Sequence, residues 1–62
     1  MTIYTNLLPV YDSCGDYIDA KTGRYIITKI SSVMVHFINI DNGSQGALMQ
    51  NYFEKEFEAI SD

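Results

Sequence analysis

The sequence is poor in the residues that staple small folds or do chemistry. It holds one cysteine (Cys14), one histidine (His36), one proline and no tryptophan. A single cysteine cannot close an intramolecular disulfide, and it excludes a cysteine-based zinc site. Small domains of oxidising compartments usually carry several cysteines, so a cytoplasmic location is expected. No apolar run reaches the ~20 residues that span a bilayer, and Met1 is not followed by a signal-type charged region and apolar stretch. A soluble protein with no membrane partner is the reading, starting at Met1. Bases are scarce as well: four lysines and arginines stand against eight acids, for a net charge of −4. That balance opposes non-specific attraction to nucleic-acid phosphates.

What is present points to a packed fold. Of the 62 residues, 47% are apolar, enough to build a core and too many for a disordered chain. Isoleucine, valine, tyrosine and phenylalanine dominate over leucine and alanine, and β-branched and aromatic side chains favour strands. The length allows one domain, residues 1–62, with little room for a cleft beside the core. An enzyme is therefore the least expected class, and no cofactor is implied.

Along the chain, residues 1–14 read as an extended N-terminal segment, an edge strand interrupted by Pro9 and ended by the turn Asp12-Ser13-Cys14-Gly15. Residues 15–50 read as a β-meander. In it Gly15–Asp19 is a short strand, and the turn Ala20-Lys21-Thr22-Gly23 folds it back as a hairpin onto Arg24–Ile30. Ser31-Ser32 then connects to the strongest strand, Val33–Ile40. Period 2 places Ile26 with Ile30, and Val33 with Val35 and Phe37. Both faces of Val33–Ile40 are apolar, so the sheet is covered twice or one face meets a partner. Asn42-Gly43 signals a two-residue type I′ turn. The period then changes: Phe53, Phe57 and Ile60 share a helical face, and Asn51 with Glu54 forms a partial capping box. A helix over 51–60 is predicted. The fold class is α+β: a small antiparallel meander or partly open barrel with a short C-terminal helix.

Each candidate for chemistry has a plainer reading beside it. Cys14 and His36 are the one nucleophile–base pair, but nothing in the sequence brings them together. Asp12, Asp16 and Asp19 lack the alternating ligands, central glycine and terminal glutamate of an EF-hand, and turn carboxylates normally bond backbone. Lys21, Arg24 and Lys29, with Tyr25, could form a basic aromatic face for single-stranded nucleic acid, or simply be solvated charges on a hairpin. Glu54, Glu58 and Asp62 recur every four residues as an acidic ridge on the predicted helix. With Asp12, Asp16 and Asp19 they could occupy a basic site on another protein, or serve as a solubilising face. Tyrosine supplies five of eight aromatics, and an amphipathic ring suits an interface.

The run Gly15-Asp16-Tyr17-Ile18-Asp19, then Gly23, Ile26-Ile27, Ile30 and Val33 to Phe37, resembles the opening strands of small SH3-like barrels. More narrowly, it looks like a family of short prophage proteins of enteric bacteria that close on Phe-x-x-x-Phe, matched by Phe53 and Phe57. Residues 1–14 lie outside the likeness, and the C-terminal segment reads as more helical than a closing strand. The resemblance implies a phage or mobile-element accessory protein, in the same size and charge class as inhibitors of host defence such as anti-CRISPR proteins. Three functions are carried forward. The leading one is a non-enzymatic binder of a host or bacterial protein with a basic surface. The others are a nucleic-acid binder and a homodimer paired through Val33–Ile40.

Overall fold

The computed structural model describes residues 1–11, 17–19 and 22–61, with 17–19 described as backbone. In chain order the elements are β1 (Ile3–Asn6), β2 (Val10–Tyr11), β3 (Tyr17–Asp19), β4 (Tyr25–Ser31), β5 (Met34–Asn39), β6 (Gln45–Met49), α1 (Gln50–Glu56) and β7 (Phe57–Ser61). Five of the strands form one sheet in the order β6-β5-β4-β1-β7, and β2 and β3 pair separately. All the pairings are antiparallel. The α+β class holds, and the sheet stays open.

The centre is the β4–β5 hairpin. Its register runs from Tyr25 opposite Asn39 to Ser31 opposite Met34, with an irregularity between Ile27 and Lys29. Thr28 is the extra residue of a β-bulge, and a bulge shifts the alternation of every side chain after it. Ile27 opposite Phe37 and Ile30 opposite Val35 therefore share the core face. This corrects the expected pairing of Ile26 with Ile30. The turn lies one residue later than Ser31-Ser32: Ser32 and Val33 form it, with Ser32 at φ 56°. Val33 accordingly leaves the core face and is exposed.

The next loop also differs from expectation. A type I′ turn needs left-handed backbone at both Asn42 and Gly43, but only Gly43, at φ 77°, adopts it. Asn39 is the physical reason. Its buried Oδ1 accepts the N–H of Asp41 at 2.8 Å and of Asn42 at 3.0 Å, organising a wider loop over 40–43. The Gly43 N–H closes that loop on the Asn39 carbonyl at 2.9 Å.

The ends of the chain meet. β1 is an inner strand between β4 and β7, where an edge was expected, and β3 pairs with β2 rather than with β4. Asn6, buried at the end of β1, donates through Nδ2 to the Leu8 carbonyl at 2.9 Å. Its Oδ1 accepts the Gly23 N–H at 2.7 Å, tying β1 to the approach to β4.

The predicted helix is present but shorter. It begins at Gln50, has no side-chain cap, and stops at Glu56. Phe57 is already extended, at φ −128° and ψ 150°. From there β7 pairs with β1, Asn6 opposite Phe57 through Ile3 opposite Ser61. Pairing with β1 satisfies the backbone groups that the two strands turn toward each other and keeps Phe57 in the core. Ile60 consequently faces solvent, 52% exposed.

The core consists of Val10, Tyr25, Val35, Phe37, Phe53 and Phe57, with Tyr4, Ile27 and Leu48 packed against it. Phe53 and Phe57 are stacked at 4.4 Å, and Tyr25 meets the Phe37 and Phe57 rings edge-on at 5.5 and 5.2 Å. Offset and edge-on contacts of this kind add about 0.5–1.5 kcal/mol each beyond the area they bury.

Candidate functional site

Three of the apolar side chains that the core does not cover, Ile30, Val33 and Met49, lie about the start of α1. The bulge directs Ile30 to the core face next to the end of β4, opposite Val35, where it stays 60% exposed. Val33, in the turn, is 56% exposed, and Met49, at the end of β6, is 44% exposed. A backbone bond from the Gln50 N–H to the Val33 carbonyl, 2.7 Å, pins the start of α1 to this turn. One helical turn later Glu54 stands on the same side of α1 as Gln50.

Two hollows adjoin there. One, of about 420 Å³, is bounded by Val33, Met49, Gln50, Asn51 and Glu54. The second, of about 320 Å³, has Ile27 and Ile30 on one wall and Phe53 within it, and shares Gln50 and Glu54 with the first. Glu54 is the one charged side chain lining either hollow, and it forms no ion pair with a described residue. The arrangement is an apolar notch with a single carboxylate on its rim, suited to an aliphatic side chain next to a cation.

Glu58 does not join it as a ridge. It lies on β7 opposite Thr5, on a different element from Glu54, because the helix ends at Glu56. The helical spacing of Glu54 and Glu58 is therefore not realised. Asp19 sits on β3 opposite Val10. Asp12, Asp16 and Asp62 lie outside the described residues, as do Cys14 and Lys21.

The basic face is dispersed as well. Arg24 makes a two-pronged contact with Asp41, Nε to Oδ2 at 3.1 Å and Nη2 to Oδ1 at 2.5 Å. The hydrogen bond and the charge of Asp41 raise the Arg24 pKa, and the hydrogen bond from Arg24 lowers that of Asp41. The two charges offset each other on the surface. Tyr25 is 0% exposed in the core, so its ring is unavailable to a nucleic-acid base. Lys29 is exposed across from the half-buried His36. Among the described residues no three histidine, cysteine or acidic side chains converge as metal ligands. No helix among them is long and apolar enough to cross a membrane.

Sequence reasoning named Glu54 but not Ile30, Val33 and Met49 beside it. Their signal was the apolar excess on both faces of the central hairpin; the bulge and the shifted turn decided which residues it left outside. Neither a protein-family model, nor a curated protein, nor a solved structure matches this chain.

Proposed function

We propose that this chain is a small, non-enzymatic binding protein that regulates or inhibits a host or bacterial protein by docking a basic, partly apolar surface. The observation that carries this reading is Glu54, an exposed carboxylate with no ion pair to a described residue, set between exposed Ile30, Val33 and Met49. Apolar burial there would supply affinity at roughly 25 cal/mol per Å². The carboxylate would select a lysine or arginine and steer its approach. An acidic surface that occupies a basic nucleic-acid site fits a phage or mobile-element accessory role of the anti-defence type. The chain path supports an SH3-like reading: a three-strand meander, β4 to β6, then one short helix, then a last strand laid beside the first.

The test compares tagged wild type with Glu54→Lys and Glu58→Lys in quantitative capture from a bacterial lysate. A protein held by the wild type and by Glu58→Lys, released by Glu54→Lys and weakened by salt, is the expected result. Equal capture by all three forms removes the Glu54 site as the docking point.

A further inference from the structure

The expected dimer strand, Val33–Ile40, is unavailable for pairing between copies, because β5 has β4 on one side and β6 on the other. The edge of the sheet at that end is β6. Two bonds set the phase of its ladder: the Asn39 N–H to the Ser44 carbonyl at 2.8 Å, and the Gln50 N–H to the Val33 carbonyl at 2.7 Å. In an antiparallel pair, successive residues turn their N–H and C=O groups alternately toward and away from the partner. Gly46 and Leu48 thus bond inward to β5. Gln45 and Ala47 direct N–H and C=O outward and Met49 its N–H, where no described residue pairs with them; the Met49 C=O, at the N-cap, takes the first bond of α1.

Exposed sheet edges are normally guarded by charge, proline or a bulge. This one carries none of them. Its register with β5 is unbroken from Met34 opposite Met49 to Ile38 opposite Gln45. Residues 42–53 contain no charged side chain and no proline, in a chain of net charge −4. The opposite edge, β7, contains Glu58 and follows Glu56, so two copies meeting there would set acid near acid. At β6 they would not. At the near end of the loop, Asp41 is already matched by Arg24.

We infer that β6 pairs with β6 of a second copy of this chain, antiparallel about a two-fold axis at Ala47. In that register Ala47 exchanges N–H and C=O with its mate, and the Met49 N–H of each copy donates to the Gln45 C=O of the other. Gly46 and Leu48 then face each other on the core side, and the two sheets become one. The occupant is a second copy because the segment complements itself: it is uncharged, and the two-fold matches the Ala47 groups with each other and each Met49 N–H with a Gln45 C=O. The Glu54 notch adjoins this contact at Met49, but its carboxylate lies on α1, outside the paired strand.

Sedimentation equilibrium of the intact chain tests the inference across concentrations from about 5 μM to about 1 mM, since dimer population follows mass action. The expected mass rises from 7.0 kDa to twice that value. Ala47→Lys places like charges across the axis, and Ala47→Pro removes an outward N–H without touching the β5 ladder. Each should move the transition to at least roughly tenfold higher concentration, with far-ultraviolet circular dichroism unchanged. A wild type that stays monomeric throughout, leaving the edge to some other protein, overturns the inference. So does dimerisation of folded Ala47→Lys and Ala47→Pro at the wild-type concentration. Neither result bears on capture through Glu54.

Discussion

Replacing Asn6 with leucine keeps a side chain of similar size at the end of β1 but strips it of both polar functions. In the native protein Asn6 is buried and serves two backbone groups, the Leu8 carbonyl at 2.9 Å and the Gly23 N–H at 2.7 Å. A backbone group left without a partner costs about 1–3 kcal/mol, depending on how far water can replace the lost bond. Both bonds are part-buried, so the lower half of that range applies to each, for a total of about 2–4 kcal/mol. A domain of this size is stable by roughly 3–9 kcal/mol, so one side chain carries a large share. The melting temperature should fall by roughly 8–30 °C, from about 4–8 °C per kcal/mol in small domains. Urea unfolding followed by circular dichroism gives the free energy, and amide exchange of Gly23 gives the local readout. A variant within about 0.5 kcal/mol of wild type, with Gly23 still protected, would refute the idea that Asn6 joins β1 to the start of β4.

Two further expectations follow from the turns. Ser32 holds φ 56°, a left-handed conformation that costs a side chain about 1–2 kcal/mol. Ser32→Gly should therefore raise stability by about 0.5–1 kcal/mol after the entropy glycine loses on folding, and thermal melting will show the gain. The Asp41 carboxyl, held by the hydrogen bond from Arg24, should titrate below the ordinary aspartate range in a carbon-detected NMR titration, and Arg24→Gln should return it there. Because the folded value is the lower one, the pair's contribution is present above the ordinary aspartate range and is lost as pH falls through the lowered value. Its exposure keeps that contribution small.

The central hairpin was legible because Val35, Phe37, Tyr25 and Ile27 alternate as a half-buried sheet requires. One residue made the rest of β4 illegible: Thr28 bears no mark of a bulge, yet it moved Ile30 to the core side and shifted the partners of everything after it. The C-terminal segment shows a different limit. Phe53 and Phe57 sit four apart in a helical period and are both buried, but Phe57 is buried as the first residue of a strand. Period alone could not choose, because the deciding partner, β1, lies at the other end of the chain. The same non-local pairing hid the inner position of β1. Tyr25, offered with the basic residues for its neighbours in sequence, belongs to the core, since alternation from Phe37 through the pairing fixes its side. At the candidate site Glu54 was legible as a charge. Its setting was not, because that depends on the bulge, the turn and the helix start together.

The position of β1 also sets the order in which the protein can be made. β1, which lies between β4 and β7, leaves the ribosome before either of them, and Ile3 finds its mate in Ser61, far later in the chain. Until β7 arrives, β1 has only the short Tyr4–Tyr25 contact with β4 to hold it. Sheets closed by such distant partners fold slowly for their size. A nascent chain would thus display the β4–β6 meander, with its open edge, before the native molecule exists.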